Sequence, residues 1–241
     1  MTSIAVNPDA SVDVRQIDSE NNCVIVDDFL SDPHALVEFA TTSGKEFELQ
    51  DIGYPGLLYD VPDEMMVEVQ RFLRATMSRQ FSFFKGDLRT SNYLSMATLP
   101  PAKLAPLQRL CHSDPKQRPD RRNYAGLVYL FDNEELGGTG FYRWKERELI
   151  ERATAMEIDS AGSSLEFLKK HLQMYREEPR YMTGSNEVAE LLLEIPARFN
   201  RLIFYSGDIP HSAHIPRPEL LSTDFSKGRL TLNCFASVRP R

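Results

Sequence analysis

Residues 124–142, YAGLVYLFDNEELGGTGFY, decide the fold of this chain. Residues 124–131 are almost all apolar or aromatic, which is typical of a strand that is buried on both faces. Residues 132–138 are rich in acidic residues and glycine, and they predict a turn. Residues 139–142 predict a returning strand, so the whole stretch indicates a hairpin.

Further strands and helices are predicted on both sides of this hairpin. The hydrophobic pattern predicts strands at residues 201–206 and 229–236. Residues 144–194 are charged instead and carry apolar residues at helical spacing. We therefore expect a helical insert at 144–194. Residues 1–21 are polar and aperiodic and predict a loose N-terminal arm. Residues 31–40 and 63–77 predict two N-terminal supporting helices, because each begins with a capping residue and carries apolar residues on one face. Because these helices precede the strands, we expect an α+β fold, a single domain over 1–241 built around a β sandwich or barrel.

The composition restricts the class of protein. The net charge of −7 and the isoelectric point near 5.3 argue against a nucleic-acid partner. No stretch approaches the roughly 18 apolar residues of a membrane span, and the N-terminus does not resemble a secretory signal. The three cysteines form no CxxC pair, which favours reduced thiols in a cytoplasmic protein. The sequence carries no signal for an oligomeric state.

A His-x-Asp motif and a distant histidine are candidate metal ligands. In a strand, His112 and Asp114 would point to the same side because side chains alternate. His211 follows an apolar strand and a tight turn, residues 204–210. Two histidines and one carboxylate form the facial triad of non-haem Fe(II) oxygenases, which leaves coordination positions open. His214 is a rival to His211, but His211 is favoured because it directly follows the strand and turn.

A basic residue opens the next strand. Arg229 lies eighteen residues after His211 in the run Lys-Gly-Arg-Leu-Thr, residues 227–231. The planar fork of an arginine pairs bidentately with a carboxylate. Thr231 would face the same way and could donate a second hydrogen bond. The pair therefore predicts a site for a carboxylate tail near the triad.

These motifs together resemble the Fe(II)/2-oxoglutarate-dependent oxygenase superfamily, and in style its prolyl-hydroxylase-like branch. Residues 26–33, VDDFLSDP, resemble the opening strand and helix of such proteins. Residues 137–142, GGTGFY, resemble the glycine-rich hairpin that follows their first metal strand. The resemblance covers residues 23–238 except the helical insert, and it indicates an uncharacterised bacterial family. It implies a double-stranded β-helix, which is a jelly roll.

The resemblance also implies cofactors and further site residues. The three residues of the triad match the positions that bind Fe(II), and Arg229 with Thr231 matches the site for the distal carboxylate of 2-oxoglutarate. Tyr93 lies where such proteins often place another group near the co-substrate. Tyr142 and Trp144, on the hairpin, are candidates for a substrate pocket, although aromatic residues of a hairpin more often belong to a core.

The implied reaction is the hydroxylation of a C–H bond. Asp114 is present, which favours hydroxylation over halogenation, because halogenating relatives vacate that position for a halide. The substrate class stays open between a small molecule and a peptide. Three alternatives stay open as well: a non-catalytic jelly-roll binding module, a cupin-like metalloenzyme without 2-oxoglutarate, and a zinc hydrolase.

Overall fold

The computed structural model describes residues 4–49, 53–81, 87–115 and 118–239. The strands in chain order are β1 (Ser11–Gln16), β2 (Asn22–Asp27), β3 (Glu48–Leu49), β4 (Gly56–Asp60), β5 (Arg89–Ala97), β6 (Arg122–Tyr129), β7 (Thr139–Trp144), β8 (Ala189–Ile195), β9 (Leu202–Ser206), β10 (His211–Ala213) and β11 (Arg229–Val238). The α-helices are α1 (His34–Thr42), α2 (Val67–Phe72), α3 (Ser78–Gln80), α4 (Arg147–Asp159) and α5 (Ala161–His171). A π-helical turn, Leu73–Met77, joins α2 to α3.

The strands form two antiparallel sheets. The larger sheet has the order β1-β2-β9-β6-β11-β5-β4-β3, and the smaller has the order β10-β7-β8. With the helices, this gives the α+β class that the sequence predicts. Within the described part of the chain, no helix is long and apolar enough to cross a membrane.

Both faces of the larger sheet are covered. On one face, Val128 and Phe204 share a core with Leu36 of α1 and with Val69 of α2. On the other face, the sheet packs against the smaller sheet through the apolar side chains of Ala125, Tyr129, Ile203, Phe141 and Ile195. The prediction that residues 124–131 form a strand buried on both faces is therefore confirmed for the strand β6.

The predicted hairpin at 124–142 is wrong, although both of its strands exist. Strand β6 pairs with β9 on one edge and with β11 on the other, so neither edge is left for β7. Strand β7 pairs with β10 and β8 in the smaller sheet. The turn therefore carries the chain from one sheet to the other. Local alternation cannot reveal this, because it says nothing about which strands become neighbours.

The predicted loose arm is also wrong for the described residues from 4 onward. Strand β1 pairs with β2 along its whole length, and Ile4 and Ile17 are buried. The side chain of Asp18 accepts hydrogen bonds from the backbone N–H groups of Glu20 and Asn21, at 2.8 Å each. This Asx-type turn closes the hairpin from β1 to β2 and was not recognised in the polar sequence.

The helical insert is shorter than predicted. The second helix of the insert, α5, ends at His171, and the chain later returns as β8, where the apolar spacing indicates a helix up to residue 194. Leucine and glutamate favour helices, which explains the expectation. Hydrogen bonding to β7 overrides this preference, because β8 completes the smaller sheet. Both helices pack against the outer face of that sheet.

Candidate metal centre

His211 begins the strand β10 and points between the two sheets. It lies opposite Phe141 of β7, and the residue is 6% exposed. Its Nδ1 atom lies 2.9 Å from the carbonyl oxygen of Ile209, so the proton is on Nδ1. The Nε2 atom is then an acceptor with a free lone pair, as a metal ligand requires.

His112 is joined to His211 through the backbone. Each residue donates its N–H to the carbonyl of the other, at 2.9 Å and 2.8 Å. The two ring centroids lie 4.6 Å apart. The side chain of His112 is 62% exposed, whereas that of His211 is 8% exposed. His112 therefore lies at the open side of the pair.

Asp114 completes the cluster from a loop that is tied to the turn after β9. Its N–H donates to the carbonyl of Gly207 at 2.8 Å. The Oδ1 atom lies 3.7 Å from Nε2 of His211 and 4.0 Å from Nε2 of His112. The Oδ2 atom is buried and has no hydrogen-bond partner among the described residues. A buried carboxylate oxygen without a partner is costly unless a cation neutralises it.

Gly207 makes this position of the carboxylate possible. A Cβ atom at Gly207 would lie 2.6 Å from Oδ2 of Asp114 and 3.0 Å from its Cβ. Such contacts are too short for carbon and oxygen atoms that are not bonded. Glycine is therefore required here by close approach rather than by an unusual backbone conformation.

Burial makes the charged forms of Asp114 and His211 less favourable. It raises the pKa of Asp114 to about 6, an effect that His112 counteracts and Asp208 reinforces. Burial also lowers the pKa of His211 to about 4, although the carbonyl of Ile209 partly opposes this change. His211 is therefore neutral at ordinary pH. A bound divalent cation would reverse the penalty on the carboxylate, since its own charge is the largest in such a site.

The cluster fits a metal ion. One ligand atom from each of the three residues lies within 4.8 Å of the other two, and the donors are two imidazole nitrogens and one carboxylate oxygen. These donors suit a first-row metal such as Fe(II) in a facial triad. The structure thus brings together the three residues that the sequence predicts.

Arg229 is a buried cation at the start of β11. The residue is 3% exposed, and it forms no ion pair with a carboxylate among the residues that the structure describes. Its Nε atom donates to the carbonyl of Leu136 at 3.1 Å, and its Nη2 atom donates to the carbonyl of Gly138 at 2.8 Å. These bonds and the ring of Phe131, whose centroid lies 5.6 Å from Cζ, orient the guanidinium, but no carboxylate among the described residues neutralises its charge, as expected of a site for an anionic ligand.

The glycine run explains how those carbonyls reach Arg229. A Cβ atom at Gly137 would lie 1.8 Å from the carbonyl oxygen of His214, and one at Gly138 would lie 1.9 Å from that of Ile195. Gly137 also has a φ of 74°, in the left-handed region that favours glycine. Only glycines allow this segment to pass so close to the neighbouring backbone.

Tyr205 contacts His211 and was missed by sequence reasoning. Its ring packs edge-on against His211, with centroids 4.8 Å apart. Burial raises its pKa well above the usual range, the charge of Asp114 raises it further, and Arg229 lowers it. The hydroxyl is thus close enough to feel both charges. No feature of the sequence distinguishes Tyr205 from an ordinary core aromatic residue.

Thr231 lies closer to Arg229 along the sheet than Tyr93 does. Thr231 is buried on the same face of β11, opposite Tyr129 of β6. Tyr93 is on that face as well, but it lies opposite Asn233, two side-chain rows beyond Arg229. Its ring contacts Phe235 rather than the guanidinium, with centroids 6.0 Å apart.

The structure places three of the candidate residues away from the triad: Tyr142, Trp144 and His214. Tyr142 is fully buried in a core with helices α4 and α5, on the face of β7 opposite to Phe141, and Trp144 packs against the same core. His214 points to Glu194, with Nδ1 3.5 Å from the nearer carboxylate oxygen. Of the two rival histidines, it is His211 that meets His112 and Asp114.

The chain belongs to the family of unknown function DUF6445, because the model of that family matches residues 8–236. No curated protein matches the chain.

Several solved structures show partial similarity. EvdO2 from Micromonospora carbonacea var. aurantiaca has a TM-score of 0.45 and 9% identity, covering 96% of this chain and 95% of that chain. A Pseudomonas putida prolyl-4-hydroxylase has a TM-score of 0.40 and 14% identity, covering 87% and 86%. The non-heme alpha ketoglutarate dependent epimerase SnoN from nogalamycin biosynthesis has a TM-score of 0.41 and 16% identity, covering 90% and 80%. Because these values are low, the function is argued from the site itself.

Proposed function

We propose that this member of the DUF6445 family is a 2-oxoglutarate-dependent non-haem Fe(II) dioxygenase with a double-stranded β-helix. The observation that carries the proposal is a pair of complementary sites between the same two sheets. One is the cluster of His112, Asp114 and His211, whose two imidazole nitrogens and one carboxylate oxygen suit a divalent metal ion. The other is the buried Arg229, which pairs with no carboxylate among the described residues. A 2-oxo acid with a distal carboxylate would bind the metal at one end and Arg229 at the other.

The residues of the chain have separate tasks in this proposal. Fe(II), with 2-oxoglutarate and O2 as co-substrates, would supply the oxidising chemistry: one oxygen atom of O2 would enter succinate as the 2-oxo acid loses CO2, and the other would enter the C–H bond of the substrate as a hydroxyl group. His211 is held in the correct tautomer by the carbonyl of Ile209. Asp114 supplies a negative charge in a site that is partly shielded from water. Arg229 holds the distal carboxylate and so sets the orientation of the co-substrate.

We propose a small-molecule or peptide substrate for this reaction. The exposed side of the site lies at His112, which is where a substrate would approach. The net charge of −7 does not suit a nucleic-acid partner. The buried thiols of Cys23, Cys111 and Cys234 are unpaired, in keeping with a cytoplasmic location.

The experiment is an anaerobic titration of the apo protein with Fe(II) and 2-oxoglutarate, followed by visible absorption. We expect a weak charge-transfer band in the wild type and none in His211→Ala. Arg229→Ala should retain metal binding and need at least ~30-fold more 2-oxoglutarate, because one partner of a buried charge pair is lost. His214→Ala is the matched control and should behave as the wild type.

Two results would contradict the proposal. Metal binding without a band, at any concentration of 2-oxoglutarate, would favour a cupin-like or non-catalytic metal-binding protein. A band that His214→Ala removes and His211→Ala keeps would mean that the wrong histidine has been assigned.

A further inference from the structure

Tyr54 reaches the surroundings of Arg229 from a distant part of the sequence. It precedes β4, whose first residue, Gly56, lies opposite Ala97 of β5, and Ala97 lies opposite Arg229 of β11. A Cβ atom at Gly56 would lie 1.9 Å from the carbonyl oxygen of Met96, so the strands are in close contact here. The pairing of three strands therefore places Tyr54 beside the row that contains Arg229.

The segment around Tyr54 is held in place by contacts within the protein. The carbonyl of Pro55 accepts hydrogen bonds from the N–H groups of Thr98 and Leu99, at 3.1 Å and 3.2 Å. The ring of Tyr54 packs against a small core that contains Ala97 and Tyr181. The hydroxyl group is thus held at a defined position, which reduces the loss of freedom when a ligand binds.

The hydroxyl of Tyr54 is buried, and among the residues that the structure describes no atom forms a hydrogen bond of normal geometry with it. Burial raises its pKa to about 12, whereas the charge of Arg229 and a hydrogen-bonding contact with the side chain of Thr231 lower it. The group is therefore protonated at ordinary pH, and its polar neighbours are the two residues that the sequence assigns to a carboxylate site.

Arg229 offers complementary donors. Its Nε and Nη2 atoms are engaged with the carbonyls of Leu136 and Gly138. Within the described ranges, its Nη1 atom has no protein acceptor, so the end of the guanidinium remains available for a carboxylate. A carboxylate can accept up to about four hydrogen bonds, so it has room for a further donor beside the arginine.

We infer that Tyr54 donates a hydrogen bond to the same carboxylate that Arg229 binds, and that it sets the preference of the site for a dicarboxylic 2-oxo acid. The inference rests on the proposed function and adds a residue that the sequence motifs do not contain. It also assigns to Tyr54 the role that the sequence suggests for Tyr93, which is to provide a further group near the co-substrate. Tyr93 lies two rows farther along the sheet, against Phe235.

The test compares two 2-oxo acids and two tyrosine variants, with anaerobic Fe(II) and the charge-transfer band as the readout. 2-Oxoglutarate and pyruvate chelate a metal through the same atoms, but pyruvate has no distal carboxylate. Tyr54→Phe should raise the dissociation constant of 2-oxoglutarate roughly 10- to 100-fold, the loss of one hydrogen bond to a charged group. It should leave that of pyruvate unchanged. Tyr93→Phe is the matched control and should change neither.

The thermal stability of the apo protein provides a second readout. Tyr54→Phe removes a buried hydroxyl whose contact with Thr231 falls short of normal hydrogen-bond geometry, so its melting temperature should stay close to that of the wild type. A lower melting temperature would mean that the hydroxyl has a structural partner, and it would overturn the inference.

Different results of these binding experiments would overturn the inference and the proposed function. If Tyr54→Phe binds 2-oxoglutarate as the wild type does while Arg229→Ala does not, the inference is overturned and the proposed function stands. An equal loss for pyruvate would also overturn it, because Tyr54 would then act at the metal. If the wild type binds no 2-oxoglutarate at all, both are overturned.

Discussion

Gly207 lies directly behind the carboxylate of Asp114, and alanine at this position should disable the proposed metal site. The added Cβ would lie 2.6 Å from Oδ2. A carbon–oxygen contact normally lies at about 3.3–3.6 Å, so the carboxylate has to move by roughly 0.7–1.0 Å. Metal–ligand distances tolerate about 0.2 Å. We therefore expect Gly207→Ala to weaken metal binding by roughly 10- to 100-fold, the range found when a support of a ligand is lost.

Calorimetric titration of the apo protein with Mn(II) measures this effect without oxidation of the metal. Gly184→Ala is the matched control, because a Cβ at Gly184 meets no atom within 4 Å. Neither glycine has a left-handed backbone conformation, so alanine causes no backbone strain at either position. Both variants should keep the far-ultraviolet circular dichroism of the wild type.

The decisive comparison is with Asp114→Ala, which removes the carboxylate itself. The reasoning is refuted if Asp114→Ala loses Mn(II) binding while Gly207→Ala binds as tightly as the wild type. In that case the carboxylate would have a second position that coordinates metal equally well, and the contact with Gly207 would not determine its geometry.

Two further predictions concern other parts of the fold. Asp27 accepts hydrogen bonds from Arg201 at 2.6 Å and 3.0 Å, which hold its pKa below the usual range. This stabilisation is present above the unfolded pKa of about 4 and is lost as the pH falls through the folded value. Asp27→Asn should lower the free energy of unfolding in urea by about 1–2 kcal/mol at neutral pH, and a difference from wild type that does not shrink in acid would contradict this. Gly138→Ala should push β7 away from Ile195 and shift a carbonyl that holds Arg229, which should cost about 1–3 kcal/mol of stability in urea and weaken 2-oxoglutarate binding in the absorption titration. Unchanged affinity would show that this carbonyl does not position the guanidinium.

The triad could be predicted from the sequence because local rules determine where its members point. His112 and Asp114 are two residues apart, and the backbone bridge between His112 and His211 preserves the alternation that a strand would have. His211 directly follows the turn after β9, so its place at the edge of the smaller sheet is also set locally.

Strand partners could not be predicted in the same way. Nothing in residues 124–131 shows that both edges of β6 are occupied, which is why the link to β7 was interpreted as a hairpin. Residues 189–195, AELLLEI, have the composition of a helix, and only pairing with β7 makes them a strand. Tyr54 reaches Arg229 through the pairing of three strands, so no local motif contains it.

Arg229 is the feature that a purely structural role does not explain. The guanidinium of a residue that is 3% exposed loses most of its hydration, and two backbone carbonyls and the ring of Phe131 replace only part of it. An apolar side chain would fill the same space between the sheets without this cost. The cost is offset when a carboxylate binds, because a charged pair in a site that excludes water forms strong hydrogen bonds. A ligand that binds only the folded chain also stabilises it by mass action. We therefore propose that the buried charge is half of a pair whose other half is the carboxylate of a ligand.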